Sequence, residues 1–386
     1  MSYFLAFAGF AALIILHEFG HFVAAKAVGM RVERFSLFFP PLIARFRRKG
    51  SETEYAIGAI PLGGYVKITG MNPEEEMPPE VAHRAYFRQK VWKRIVVISA
   101  GPVVNLVLAF VILWGLYGLT SSPLTQPVVD KLTAGSPAAE VLKPGDRIVS
   151  VDGQAGYSAG LRPRDAPERV AAQMDAIATH TCAGKPRVGC RAEDPVRLEV
   201  LRDGEQRSLE VTPRFTVPPL SADAPASTPE PEGRMLLGLT YARPSFSFGA
   251  VDAASYSAET MWMVTTLTID TVGKLFYDEQ ARESISGPVG NYDATRRLFE
   301  FDTRRAIFLL ALLSLSLGIF NLFPFLPLDG GHIFWAVAEK LRGRPISLRV
   351  MERAGVVGVM LVLVVFYIGL TNDIGRLTSG EGLGVR

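Results

Sequence analysis

The hydrophobic residues of this chain are gathered into long runs instead of being spread evenly. No Asp, Glu, Lys or Arg occurs in residues 95–129, 306–328 or 354–372, and residues 1–25 contain a single carboxylate. A helix needs about 20 residues to cross a hydrocarbon core about 30 Å thick. The pattern therefore predicts four membrane-spanning helices, over residues 3–25, 96–119, 306–326 and 354–371.

Between the second and third runs, shorter elements predict a small globular domain. Ser136 stands before a helical segment as an N-cap residue, and Asp203-Gly204 is a strong hairpin turn. The predicted elements are a strand at 127–132, a helix from 136, a strand at 145–153, a helix at 166–179 and a hairpin at 196–211. Their order resembles PDZ domains attached to proteases, which bind an extended peptide beside a strand and a helix. A PDZ-shaped spacer with an unoccupied groove is the alternative.

Two other segments carry a clear pattern. Residues 54–69 alternate in polarity around Pro61-Leu-Gly-Gly64, which predicts a hairpin that dips toward the membrane with one free edge. An ordinary cytoplasmic hairpin is the alternative. Residues 250–276 mix apolar and charged side chains, which favours a helix lying along the membrane surface over a fifth span.

The predicted fold is a polytopic α-helical membrane protein of about four transmembrane helices. It carries an inserted extracytoplasmic α+β PDZ-like domain and a membrane-associated β-hairpin. The predicted domains are an N-terminal membrane domain at 1–125, the PDZ-like domain at 126–215, a flexible linker at 216–245, and a C-terminal region at 246–386 that combines the amphipathic segment with the remaining spans.

Composition and charge support this fold and fix its expected orientation. The 386 residues are 48% hydrophobic and 20% charged, which is unlike a long disordered chain or a basic nucleic-acid-binding protein, so no nucleic-acid partner is expected. Lys and Arg gather in residues 26–49, 84–94 and 340–353. By the positive-inside rule these segments are cytoplasmic. Both termini and residues 120–304 are then extracytoplasmic.

The two cysteines exclude a cysteine-based zinc module. Cys182 and Cys190 flank a short loop of the PDZ-like domain. On an oxidising outer face they could form a disulfide, and the sequence leaves the reduced and bridged forms equally open.

The first candidate chemistry lies inside the first run, at His17-Glu18-Phe19-Gly20-His21. On a helix, His17 and His21 share one face, so two imidazole nitrogens can bind one Zn²⁺ while Glu18 accepts a proton from water. Ionisable groups within a membrane span are costly and mark a functional site by default. A catalytic zinc site also needs a third protein ligand and one open position.

The third ligand is expected at the end of the third run. There Asn321-Leu-Phe-Pro-Phe-Leu-Pro327 breaks the helix and is followed by Asp329, two glycines and His332. If this span runs inward, Asp329 lies at about the depth of His17 and His21. His332 is expected to be a cap or an outer neighbour of the site, because a fourth protein ligand would close it to water.

Together, His17-Glu-Phe-Gly-His21 and residues 321–331 resemble the site-2 protease family of intramembrane zinc metalloproteases. Gly101-Pro-Val-Val-Asn105, the stretch Ile60-Pro-Leu-Gly-Gly-Tyr-Val-Lys67 and the PDZ-like domain make the chain similar to the bacterial RseP-like branch. The resemblance covers nearly the whole chain. Only one PDZ-like domain is recognisable in the sequence, whereas some relatives carry two.

The resemblance implies residue roles and partners. His17, His21 and Asp329 would bind Zn²⁺, Glu18 would be the general base, and Asn105 and Asn321 would contact the substrate backbone. A second interpretation of Asn105, as a polar residue that joins helices, stays open. The implied substrates are single-span proteins of the bacterial cytoplasmic membrane, such as anti-sigma factors or remnant signal peptides, cut near the cytoplasmic side.

Two other functions are compatible with parts of the sequence. A membrane-anchored PDZ adaptor with an inert or structural metal site is the alternative from another class. A metal transporter is disfavoured, because one cluster at one depth provides no relay across a membrane.

Overall fold

A computed structural model describes residues 1–72, 75–217, 233–275, 277–344 and 346–378. By its internal contacts the chain divides into two compact units. The first comprises residues 1–116 and 257–386, and the second comprises residues 117–256.

Helices dominate the first unit and two long strands accompany them. In chain order its elements begin with α1 (Ser2–Ala27), β1 (Val32–Arg47), β2 (Glu54–Ile68), α2 (Pro79–Ala82) and α3 (Val91–Leu119), the last of which ends in the second unit.

Small strands and two short helices make up most of the second unit. Its elements are β3 (Ser122–Pro123), β4 (Val129–Leu132), α4 (Pro137–Val141), β5 (Arg147–Val151), β6 (Gln154–Ala155), α5 (Ala166–Ala178), β7 (Val196–Arg202), β8 (Glu205–Val211), β9 (Arg214–Thr216), β10 (Arg234–Leu236), β11 (Leu239–Tyr241) and β12 (Ser245–Phe246).

The remaining helices begin at the boundary between the units and complete the first of them. They are α6 (Ala250–Lys274), α7 (Glu279–Ser284), α8 (Pro288–Phe301), α9 (Thr303–Asn321), α10 (Asp329–Arg342) and α11 (Leu348–Thr378).

Four helices of the described residues are long and apolar enough to cross a membrane. They are Ser2–Ala27, Val91–Leu119, Thr303–Asn321 and Arg349–Arg376. These match the four predicted spans, and the chain is a membrane protein with a separate β-rich region. The helix α6, predicted to lie along the membrane surface, is not among the four.

The third span ends earlier than the hydrophobic pattern indicates. It stops at Asn321, whereas the apolar run continues to Leu328. Proline has no backbone N–H and clashes with the preceding turn, so Pro324 and Pro327 end the helix within an apolar segment. The chain then turns, and α10 begins directly at Asp329.

Glycines make this turn tight. A Cβ at Gly330 would collide with the backbone of Leu322, and one at Gly331 would collide with the backbone at Leu326. On the other side of the turn, Gly358 of α11 lies directly against the Leu326 carbonyl. The two glycines after Asp329 therefore allow the close approach that the sequence predicts, and this fixes the start of α10.

The strands β1 and β2 form a larger sheet than the predicted hairpin. Residues 34–37 of β1 pair antiparallel with 64–67 on one side, and on the other side they lie beside 54–57, with residue numbers that rise together along the two segments. Residues 44–47 pair antiparallel with the far edge of 54–57. The sheet thus has four short strand segments, with 64–67 at one edge. Strand β1 was not predicted, although the polar Arg34 and Ser36 alternate with the apolar Phe35 and Leu37.

An apolar core joins this sheet to the ends of two spans. Ala25, Met30, Val32, Ile68 and Val97 are 2% exposed or less and form one cluster. Because the sheet packs on the C-terminal end of α1 and the N-terminal part of α3, its position relative to those helices is fixed.

In the second unit the observed elements follow the prediction closely. The sheet order is β6-β5-β7-β8, and its core includes Ile148, Val151, Val196, Leu198 and Val200. Ser136 caps α4 by accepting the Ala139 N–H. Asp203 and Gly204 both have positive φ at the hairpin turn. Cys182 and Cys190 are joined by a disulfide.

Part of the predicted linker forms strands instead. Residues 234–236 pair with β9, and residues 239–241 pair with β4. Met235, Leu237 and Tyr241 are buried, so this stretch has the apolar residues needed to join the core. Residues 218–232 of the predicted linker lie outside the described residues.

A buried ion pair stabilises the second unit. Arg202 makes two hydrogen bonds to the Asp146 carboxylate, at 2.7 and 2.6 Å, and the Lys143 N–H donates to it as well. Burial alone would raise the pKa of Asp146, but these hydrogen bonds lower the pKa below its usual value. The pair therefore stabilises the fold above the ordinary carboxyl pKa, and this contribution disappears as the pH falls through the lowered value.

Arg202→Met is expected to lower the stability of this unit at pH 7 by about 3–5 kcal/mol, because it leaves the Asp146 carboxylate, only 2% exposed, without its cation. Amide hydrogen exchange of β7 in the full chain measures the change. The difference from the native chain should shrink as the pH falls below the carboxyl range. Arg207→Met removes an exposed pair on the same hairpin and should cost less than about 1 kcal/mol.

Candidate metal centre

Three potential metal ligands from distant parts of the chain meet in the first unit. His17 and His21 lie one turn apart on α1, and Asp329 is the first residue of α10. The His17 Nε2 and His21 Nε2 atoms each lie 3.3 Å from Asp329 Oδ2 and 3.3 Å from each other. The three atoms form a nearly equilateral triangle. The structure therefore brings together the metal-ligating side chains that the sequence predicts.

This triangle has the dimensions of one face of a zinc tetrahedron. Ligand atoms about 2.0–2.2 Å from a tetrahedral Zn²⁺ lie about 3.3–3.6 Å from one another. The fourth vertex carries no protein ligand among the described residues. Two imidazoles and one carboxylate with an open position are the donor set of a catalytic zinc site.

The Asp329 carboxylate supports the same conclusion. Its Oδ2 atom is buried, and within the described part of the chain no hydrogen-bond donor is aimed at it. A buried carboxylate oxygen without a partner is costly, and a cation between it and the two Nε2 atoms would remove that cost. Its place at the N-terminus of α10 also favours the ionised form that binds metal.

Helix α3 contacts both imidazoles from behind. His21 Nδ1 lies 2.9 Å from the Val97 carbonyl oxygen, and His17 Nδ1 lies 3.1 Å from the Asn105 amide nitrogen. Both histidines are 7% exposed and Asn105 is fully buried. The predicted contact of Asn105 with a substrate remains a prediction.

Two glycines allow α1 and α3 to approach closely enough for these contacts. A Cβ at Gly20 would lie 2.6 Å from the Ala100 carbonyl oxygen, and one at Gly101 would overlap His21 and reach within 2.9 Å of His17. Any side chain at Gly101 would displace the ligands. The sequence analysis quoted both glycines within motifs without recognising this packing role.

The predicted general base borders the metal centre on the side of the sheet. Glu18 is partly buried and interacts electrostatically with His17, His21 and Asp329. Gly64 of the sheet lies next to Glu18, because a Cβ at Gly64 would lie 3.0 Å from Glu18 Cγ and 2.9 Å from the Ser36 carbonyl oxygen. The edge segment 64–67 therefore passes directly beside Glu18.

A Gly64→Val substitution is expected to lower the rate of a reaction that uses Glu18 as its base about 100-fold, because the added side chain pushes Glu18 from its position and a shift of about 1 Å has an effect of that size. Catalytic rate and zinc content are measured together, and zinc content should not change. Gly115→Ala in α3 is the matched control, since a Cβ there meets open space among the described residues. Equal activity of the two variants would contradict the proposed crowding.

Asn321 and His332 are the remaining predicted residues. Asn321 is the last residue of α9 and is partly buried. His332 is not part of the three-residue metal group. Its expected role as a cap or an outer neighbour of the site stays a prediction. Burial lowers the pKa of His332.

A buried ion pair that the sequence analysis did not identify holds α10 against α3. Arg94 is 3% exposed and donates to Glu339 at 2.7 Å. The guanidinium also lies over the rings of Tyr86 and Phe87, at 6.0 and 5.5 Å from their centroids. Burial raises the pKa of Tyr86 well above its usual value. The pair ties the helix that begins at Asp329 to the helix behind the histidines.

Such a donor set with one open vertex is that of a zinc hydrolase, and two of its members lie on a helix that is able to span a bilayer. Comparison with known proteins agrees. The profile of peptidase family M50 matches residues 5–365, so the chain belongs to that family, the site-2 proteases, and is a metalloprotease.

Curated relatives cover almost the whole chain. The chain is 28% identical to the regulator of sigma-E protease RseP of Escherichia coli (strain K12), over 95% of the chain and 96% of the relative. It has the same identity and coverage with RseP of Salmonella typhimurium (strain 14028s). A Rhizobium meliloti protein that bears a zinc metalloprotease name is 28% identical over 95% of the chain and 94% of its own length.

Proposed function

We propose that this protein is an intramembrane zinc endopeptidase that cleaves the transmembrane segments of single-span membrane proteins. The observation that carries the proposal is the triangle of His17, His21 and Asp329 ligand atoms, because two of its members belong to a helix that can span a bilayer. The zinc metalloprotease names of the relatives support the choice of metal.

His17, His21 and Asp329 would hold the zinc. When bound, zinc would polarise the scissile carbonyl and lower the pKa of water to about 7. Glu18 would accept a proton from the attacking water and deliver it to the nitrogen of the leaving amine. The hydrolysis consumes one water and yields a new carboxyl terminus and a new amino terminus.

A substrate helix must be unwound before it can react, because its peptide bonds are protected by internal hydrogen bonds. The unwound chain would bind along the edge segment 64–67 as an added strand. This place is favoured because the edge segment begins at Gly64, which lies beside Glu18. Asn321, at the end of α9, is proposed to contact the substrate backbone from another side.

The proposed location is the bacterial cytoplasmic membrane, with both termini outside and the metal centre toward the cytoplasmic side. The basic segments 26–49 and 340–353 support this orientation. The second unit is then extracytoplasmic, and we propose that it is a PDZ-like domain that receives an extended peptide or protein partner. The sigma-E regulator name of the relatives supports anti-sigma factors as substrates.

The proposal is tested with purified protein in lipid vesicles and a single-span substrate, with the products identified by mass spectrometry. We expect cleavage within the transmembrane segment, loss of cleavage after chelation and recovery on addition of zinc. A zinc-loaded protein that cuts none of a panel of single-span substrates would contradict the proposal and favour the adaptor function. Cuts confined to soluble loops would contradict the intramembrane assignment.

A further inference from the structure

One face of α3 supports the metal ligands from behind. Val97, Gly101 and Asn105 follow one another at intervals of four residues, so they share one side of the helix. Val97 contributes its carbonyl oxygen to His21, Gly101 leaves room for both rings, and Asn105 places its amide on His17.

The protonation of His21 follows directly from its partner. A carbonyl oxygen can only accept, so the bond to Val97 requires a proton on His21 Nδ1. The neutral ring then has a lone pair on Nε2, the atom that faces Asp329. A proton on one ring nitrogen thereby fixes the other as a metal ligand.

His17 needs the same tautomer if its Nε2 is also to bind the cation. An amide NH₂ group directed at His17 Nδ1 would make that nitrogen an acceptor and leave the proton on Nε2, where the metal belongs. The amide has a second end, Oδ1, which is buried with no hydrogen-bond partner in the described part of the chain. A half-turn of the amide brings this oxygen to His17 Nδ1, because the two ends of an amide occupy nearly the same outline.

We infer that Asn105 is a positioning residue, whose side-chain oxygen accepts the Nδ1–H of His17 and so fixes this histidine as a zinc ligand through Nε2. This role is distinct from the predicted contact with the substrate, and it agrees with the complete burial of Asn105. It rests on the proposed zinc site, but not on the identity of the substrate.

Helix α9 contacts Asn105 at its backbone carbonyl and its Cβ atom. Ser314 of α9 is fully buried and donates its hydroxyl to the Asn105 backbone carbonyl at 2.9 Å. Gly318, one turn further along α9, lies against Asn105 Cβ and the Pro102 carbonyl. Substitutions can therefore remove the contact of the Asn105 side-chain amide and the contact of its backbone carbonyl separately.

The test compares zinc affinity, measured by chelator competition, in the full-length native protein and in three variants. Asn105→Leu keeps the approximate volume but removes the acceptor, and we expect zinc affinity to fall about 10–100-fold. Asn105→Asp keeps an acceptor at the same place but cannot donate, and we expect it to retain zinc affinity within about 10-fold of native. Ser314→Ala removes a neighbouring buried hydrogen bond and should leave zinc affinity unchanged.

The variants separate the alternatives. If Asn105→Leu binds zinc as tightly as the native protein, or if Asn105→Asp loses as much affinity as Asn105→Leu, Asn105 does not act as the acceptor. An equal loss in Ser314→Ala would show a general packing effect and also overturn the inference. Thermal unfolding of each metal-free variant checks its fold. If Asn105→Leu fails to fold, Asn105→Ala, which also removes the acceptor, takes its place.

Failure of the inference is distinguishable from failure of the proposed function. Native protein that binds no zinc would contradict the proposed function itself. Tight zinc binding in all the variants, with cleavage intact, would contradict only the role of Asn105.

Discussion

Replacing Glu18 with glutamine is expected to reduce cleavage by about 10³-fold while zinc remains bound. The amide has nearly the same shape as the carboxylate, but it cannot accept the proton of the attacking water, and general-base catalysis contributes about 10²–10⁴-fold. Glu18 is not a member of the three-residue metal group, so its change leaves all three ligands in place. Cleavage of a single-span substrate in vesicles and zinc content of the same sample are the two measurements.

The same variant identifies natural substrates. Membranes from cells that express the Glu18→Gln chain should accumulate single-span fragments that the native chain removes, and quantitative proteomics detects them. Glu80→Gln, a change in the first turn of α2, is a suitable control for loss of one carboxylate. Cleavage by Glu18→Gln at the native rate would rule out Glu18 as the base.

The four spans and the two distant motifs could be predicted because each has a strong local signal. A run of apolar residues defines a span, and two histidines four residues apart define one face of a helix. Asp329 could be predicted as the third ligand because the prolines before it end a helix inside an apolar run. The structure then places its Oδ2 atom 3.3 Å from both imidazoles.

The supporting residues could not be predicted in the same way. The Val97 carbonyl belongs to the backbone, so no side chain in the sequence signals that it accepts from His21. Arg94 and Glu339 are far apart along the chain, and each alone resembles an ordinary charge near the end of a helix. Gly20 and Gly101 have a packing role that becomes visible only when two helices are placed together.

The strand pairing of the sheet could not be predicted for a different reason. Residues 54–57 pair on both sides, so their partners come from two parts of β1, while a hairpin prediction considers only the nearest partner. Similarly, residues 234–241 lie beside a stretch rich in proline and acidic residues, and this composition concealed the buried positions of β10 and β11. Long-range strand pairing decided both cases.

Replacing Asp329 with alanine is expected to weaken zinc binding by more than 100-fold and to abolish cleavage. Loss of a partner behind a ligand costs about 10–100-fold in metal affinity, and loss of a ligand itself costs more. His17 and His21 would remain, but two imidazoles alone complete only half of a tetrahedral site. Unlike Glu18→Gln, this variant loses the metal together with the activity.

A matched control separates metal binding from the stability of the helix that begins at Asp329. Asp302 caps α9 by accepting the Arg305 N–H, and Asp302→Ala is expected to cost about 1 kcal/mol in stability while zinc affinity stays native. Chelator competition on both variants, with thermal unfolding of the metal-free proteins, makes the comparison. If Asp329→Ala binds zinc like Asp302→Ala, the carboxylate is not a ligand, and the proposed mechanism loses the third member of its metal site.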